Sequence, residues 1–206
     1  MKKIAVNTAA ALVLAVIALL GWTGFQLGGE LQTVEAAASP GQPMPDFKLP
    51  SLDGKMTSLS EHKGKDIVVV IFINQGCPFS LGAEPSLNAL SAKYQGKGIV
   101  FYGVDSNATN TTDAIKKHVE EAKVPFTVLK DADNVYADAV GAKVTPETFV
   151  VDKTGAIAYH GAPDDRTTPD GEAKNAYLDA ALDALTNGKE VAVKEAKTWG
   201  CGIKRK

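Results

Sequence analysis

A chain of 206 residues with 45% hydrophobic composition can bury one well-packed domain plus extensions, and is too short for two full domains. Its formal net charge of -2 gives nucleic acid or an anionic membrane surface little reason to bind, so no nucleic-acid partner is expected. Three basic residues gather at the end, Lys204, Arg205 and Lys206, and read as a solvated tail.

In chain order, Lys2 and Lys3 precede an uncharged apolar stretch from Ile4 to Gly29. Two readings of residues 1–38 stay open. One is a signal peptide, with the A-x-A site that "AAAS" at 36–39 offers. The other is a single membrane anchor, which needs roughly 20 mostly apolar residues. Both keep the two lysines inside and export the rest. The expected location is therefore periplasmic or otherwise extracytoplasmic, with the domain soluble after cleavage or tethered. Outside the cytoplasm a disulfide persists, which matters because the chain has two cysteines, Cys77 and Cys201.

Residues 39–45, "SPGQPMP", form a linker of prolines and small residues. The domain is expected over 46–187. It opens with a short hairpin, Asp46 to Leu59, turning at Asp53-Gly54. "DIVVVIFIN" is a continuous β-branched run and predicts a strand buried on both faces. A helix follows to Tyr94, then a second buried strand, "GIVFYGVDSN", and a polar helix from Thr111 to Ala122. "FTVLKD" predicts a brief strand and Val135 to Val140 a short helix. "ETFVVD" and "AIAYHG" flank Lys153-Thr154-Gly155 and predict an antiparallel hairpin. A polar loop with Asp164, Asp165 and Asp170 reads as solvated rather than as a calcium site. Ala173 to Leu185 predicts the last helix. The tail, 188–206, shows no element before Cys201. Strands alternating with helices give an α/β class with a central sheet covered on both faces and a terminal hairpin.

"NQGCPFS", residues 74–80, sits where the first buried strand must stop and a helix begin. Cys77 then lies at the helix N-terminus, where unpaired amides and the helix dipole favour a thiolate. Pro78 suits the first turn, where no amide hydrogen is needed. The Ser80 hydroxyl is one turn away and can donate to the sulfur. Pro146, between Thr145 and a strand, suits a cis peptide. His62, His118 and His160 are scattered and form no zinc spacing with Cys77, and neither metal nor cofactor is expected.

Cys77-Pro78-Phe79-Ser80 resembles the thioredoxin C-x-x-C motif with its second cysteine replaced by serine. Pro85 matches the kinking proline of that family, and Thr145-Pro146 resembles its Thr-cis-Pro loop. "CPFS", "GVDSN", "VPFTVLKD", "GAKVTPETFVVDKTGAIAYHGAPDD" and "GCGIK" are together similar to a redoxin, peroxiredoxin-like (AhpC/TSA) group. The resemblance covers roughly 160 residues, 46–187 and the tail, and implies a thioredoxin-like fold with a central mixed sheet. There are departures. The peroxiredoxin pattern P-x-x-x-T/S-x-x-C meets Val70 and Asn74 here, and neither Arg166 nor Arg205 stands where that family polarises peroxide. The tryptophan common before a thioredoxin cysteine is Gly76.

A lone active-site thiol needs a second one to complete a disulfide cycle, and Cys201 is the only other in the chain. Gly200 and Gly202 would let its backbone approach closely. It is expected to resolve Cys77, to staple the tail, or to pair between chains, and all three stay open. Three functions follow. The first is an exported thiol–disulfide oxidoreductase with Cys77 as nucleophile, Cys201 and Ser80 assisting, and Pro78, Thr145 and Pro146 shaping the substrate groove. Its partners would be a protein disulfide or thiol and an external thiol electron donor. The second is a thiol peroxidase. The third is a non-catalytic thioredoxin-like binding module.

Overall fold

The computed structural model describes residues 38–206. Residues 1–37, and with them the signal-or-anchor expectation, lie outside the described residues.

β1 (Lys48–Pro50) and β2 (Met56–Ser58) form the expected hairpin. The main sheet comprises β3 (Ile67–Phe72), β4 (Ile99–Asp105), β5 (Thr127–Lys130), β7 (Glu147–Val151) and β8 (Ile157–Gly161), in the order β5-β4-β3-β7-β8. β3 runs parallel to β4, and β4 to β5, while β3–β7 and β7–β8 are antiparallel. The sheet is thus mixed.

All six residues of β3 are buried, because it lies centrally and both of its faces are covered. Alternation splits them. Val68, Val70 and Phe72 join one core with Phe47, Tyr136 and Phe149. Ile67, Val69 and Ile71 join the other with Leu87, Tyr159 and Leu182. Each such side chain contributes about 1.5–3 kcal/mol. The second core rests on α1 (Pro78–Tyr94) and α4 (Tyr177–Thr186), the first on α3 (Val135–Val140). α2 (Thr112–Glu121) caps its start with the Thr111 side chain, which accepts from the Ala114 amide.

Two expectations need correction. The final helix starts at Tyr177, not Ala173, because the Asp165 carboxylate takes the amides of Lys174 and Asn175 at 2.7 and 3.0 Å and holds them in a loop. Asp164 of the same loop is buried and pairs with Arg166 at 2.7 Å rather than facing water.

The tail has no helix or strand before Cys201, as expected, but it is held to the domain. It runs beside β8, where the His160 amide donates to the Lys194 carbonyl and the Ala196 amide to His160. A side chain at Gly161 would collide with the Ala196 backbone, so glycine (φ 153°) is required there. The chain then forms β9 (Cys201–Gly202), antiparallel to β6 (Val144–Thr145). Its last residues are solvated, as expected, and also anchored. The Arg205 guanidinium meets Asp138 at 2.7 Å, the Lys206 amide donates to Asn134 at 3.2 Å, and the Lys206 ammonium pairs with Asp133.

Candidate active site

β3 ends at Phe72, and the chain turns through Asn74 to Cys77. The Cys77 amide donates to the Asn74 carbonyl at 3.0 Å, and the Gly76 amide to Asn74 Oδ1 at 2.8 Å. This turn delivers Cys77 in extended geometry as the N-cap of α1, with Pro78 at its first position. Behind it runs a polar chain that composition and periodicity did not disclose. Asn110 Nδ2 donates to Asn74 Oδ1 at 3.0 Å and to Asp105 Oδ2 at 2.6 Å, and buried Lys130 donates to Asp105 Oδ1 at 3.1 Å. The one sequence signal for it is that "GVDSN" and "TVLKD" both end apolar strands on polar residues facing the same end of the sheet.

The Cys77 sulfur accepts from the Ser80 amide at 3.4 Å. The amide, rather than the hydroxyl, makes this contact; the Ser80 hydroxyl oxygen instead accepts from the Asn74 amide at 3.1 Å. Pro146 follows Thr145 through a cis peptide, as the sequence suggested. Thr145 presents its carbonyl 3.1 Å from the sulfur, an acceptor for the protonated thiol. β9 covers the opposite side. Its register places Cys201 directly against Thr145, the residue whose carbonyl lies 3.1 Å from the Cys77 sulfur, so the two cysteines are neighbours across the cis-proline loop.

Burial pushes the Cys77 thiol up. Hydrogen bonds from the Cys201 thiol, the Thr145 hydroxyl and the Ser80 and Cys201 amides outweigh it and hold Cys77 below the ordinary thiol value. Cys201 shifts the other way: burial and the neighbouring Cys77 sulfur raise it, with the Phe79 amide and Lys204 opposing. Two adjacent sulfurs cannot both ionise cheaply, so Cys77 is the one that loses its proton first.

Cys77 is itself 0% exposed. The helix N-terminus therefore does not present its sulfur to solvent. Its surroundings are amides, a hydroxyl and a second thiol, and the tail is the cover. Trp199 packs beside Phe79 with ring centres 5.6 Å apart, and its indole N–H donates to the Asp164 carbonyl at 2.8 Å. Gly200 (φ 139°) passes the Thr145–Pro146 backbone so closely that a Cβ would overlap the Thr145 carbonyl. Both cysteines are free thiols.

Two further groups frame the site. Glu147, which follows Pro146 and is 3% exposed, accepts from the Lys143 and Val144 amides at 2.8 and 3.1 Å and pairs with His160 at 2.7 Å. Burial raises its pKa, and the His160 contact and the two amides bring it below the usual carboxylate value. It fixes the loop that leads into β6. Arg166 is fully engaged by Asp164, the Gly82 carbonyl and the Ser86 hydroxyl, beneath Trp199. Among the described residues, no three His, Cys, Asp or Glu side chains converge as a metal site requires.

Residues 40–160 match the model of the AhpC/TSA family. The chain is 29% identical over 145 residues to the thiol-disulfide oxidoreductase ResA of Bacillus thuringiensis, covering 70% of this chain and 82% of that protein. It is 30% identical over 132 residues to the chloroplastic peroxiredoxin Q of Populus jackii, covering 61% of each. A hypothetical protein from Sinorhizobium meliloti 1021 superposes with a TM-score of 0.76 at 31% identity, over 82% of this chain and 96% of that one. The mixed sheet, the flanking helices and the cis proline beside the helix-capping cysteine make a thioredoxin-like fold.

Proposed function

This chain belongs to the AhpC/TSA family, and from that premise we propose that it is a thiol–disulfide oxidoreductase with Cys77 as nucleophile and Cys201 as resolving thiol. Residues 1–38 supply the export signal or anchor, 39–45 the linker, 46–187 the catalytic domain and 188–206 the tail that carries Cys201. The domain works outside the cytoplasm.

The reading is carried by one observation: Cys201 is held in register against Thr145, whose carbonyl accepts from the Cys77 thiol at 3.1 Å. Proton and electron flow follow. The Cys77 thiolate attacks one sulfur of a substrate disulfide; the Cys77–substrate S–S bond forms, the substrate bond breaks, and the departing thiolate takes a proton. The Cys201 thiolate then attacks the Cys77 sulfur and releases the second substrate thiolate. Two electrons and two protons pass to the substrate, leaving a Cys77–Cys201 disulfide for an external thiol donor to reduce. The Ser80 amide and Thr145 hydroxyl stabilise the attacking anion. Pro78 starts the helix that aims those donors, and Thr145 and Pro146 line the groove.

Trapping tests this. Cys201→Ser incubated with a disulfide-bearing protein should accumulate a mixed disulfide at Cys77, seen as a mass adduct that dithiothreitol removes. Wild type should pass on to the internal disulfide. No adduct, or an equal one in both proteins, overturns the assignment. The likeness to peroxiredoxin Q supports a second reading, peroxide reduction through a Cys77 sulfenic acid. The full engagement of Arg166 weighs against it. Stopped-flow mixing with hydrogen peroxide decides: sulfenate at the slow rate of a free thiol removes that reading.

A further inference from the structure

The segment after Trp199 lies in a slot with two walls. On one side Val144 and Thr145 pair with Gly202 and Cys201, and the Lys143 carbonyl accepts from the Ile203 amide at 2.9 Å. On the other, the Ala108 amide donates to the Lys204 carbonyl at 2.9 Å, and Asn107 Oδ1 accepts from the Lys204 amide at 3.0 Å. Asn107 is fully buried, and its Nδ2 has no partner. The walls therefore read main chain rather than side chains, as a bound extended peptide requires. The side chains the slot does sense are few. Ile203 is buried in the first core, and position 200 tolerates no Cβ.

With Cys77 fully covered, no external disulfide reaches its sulfur while this segment is in place. We propose that residues 200–204 are a displaceable stand-in for substrate. The partner is an extended polypeptide whose cysteine follows a glycine and precedes an aliphatic residue by two positions, and it enters the slot by displacing the tail. Asn107 and Ala108 are then part of the recognition surface. The inference rests on the oxidoreductase reading and deepens it by naming the substrate class. The docked tail also explains resolution: it re-enters while substrate is still joined to Cys77, and attack by Cys201 on that sulfur forms the internal disulfide and expels the substrate thiolate.

The test uses full-length Cys201→Ser and two synthetic peptides, Thr-Trp-Gly-Cys-Gly-Ile-Lys and the same with alanine before cysteine. Each carries its cysteine as a 2-thiopyridyl disulfide. Attack by Cys77 forms the mixed disulfide and releases pyridine-2-thione, which is read by absorbance. The glycine peptide should react about ten-fold faster or more, the discrimination one misplaced methyl group can supply. Arg205→Ala with Lys206→Ala, which loosens the end of the tail, should speed both peptides and leave their ratio unchanged. Equal rates for the two peptides overturn the inference.

A measurement on the wild-type reduced chain guards against misfolding of the variant. The tethered tail has an effective concentration of millimolar order, so the serine analogue of the glycine peptide is added at about ten times that. It should raise iodoacetamide labelling of Cys201, and its alanine counterpart should not. Unchanged labelling also overturns the inference. 2,2′-Dithiodipyridine separates the two levels. Rapid reaction at Cys77 with no peptide preference sinks the slot alone. Reaction at the rate of an ordinary thiol even in Arg205→Ala with Lys206→Ala, where the tail is loosened, sinks the oxidoreductase reading and the slot with it.

Discussion

At Cys77, burial and hydrogen bonding pull in opposite directions, and hydrogen bonding wins. Two of the winning donors, the Cys201 thiol and amide, belong to the tail; the Thr145 hydroxyl and Ser80 amide belong to the domain. The sign follows directly. A folded-state pKa below the unfolded value of about 8.5 means that the thiolate is favoured by folding. Alkylation of Cys77 should therefore titrate with a midpoint below that of an unfolded control, and Cys201→Ala, which loses the side-chain donor, should move the midpoint upward. Mass-resolved iodoacetamide rates between pH 5 and pH 10, roughly bracketing the thiol range, measure both; identical midpoints in the two proteins would contradict this account. Local sequence carried much of this site. A cysteine before proline at a strand-to-helix junction is a cap, and the proline between threonine and a strand takes the cis form. Ser80 was misread because its position is local while its partner is not: the hydroxyl answers to Asn74, six residues back, across a turn whose shape the pattern does not encode.

Among the elements, strands and long helices announced themselves by period and by β-branched runs, and β3 is the clearest case. What stayed hidden were contacts that cost no pattern. Gly82 reads as a weak spot inside α1, yet any Cβ there would overlap the Pro169 carbonyl, and beside it the Gly82 carbonyl holds Arg166. The glycine is the seat on which the loop before α4 rests. Gly82→Ala should destabilise the fold by about 1–3 kcal/mol, as overpacking does, although alanine alone favours a helix by nearly 1 kcal/mol. Urea unfolding checks the sign; a stabilised variant would show that the loop does not bear on the helix. β6 and β9 were equally illegible. Two-residue strands carry no periodicity, and theirs exist only because distant segments meet.

For the molecule as a whole, the tail joins parts that the main sheet leaves separate. It follows the edge of β8, crosses the cysteine and finishes on α3. Its terminal ion pairs are partly or largely exposed and so worth little each, and salt screens them. Most of its hold comes from short backbone pairings at the sheet margin. Amides of Ile203 and Lys204 should accordingly exchange with deuterium well before those of β3, and faster still at half-molar salt, while β3 exchange stays unchanged. Tail and β3 amides exchanging together would mean one cooperative unit with no separable strap.

A sulfur that borrows half of its stabilising donors from its own lid behaves differently with the lid off. Docked, the anion forms more readily and is the weaker nucleophile, since nucleophilicity falls with basicity. Undocked, fewer molecules carry the charge, but each one strikes harder. If the tail gives way to substrate as proposed above, the reactive atom sits behind a safety catch that the incoming peptide releases.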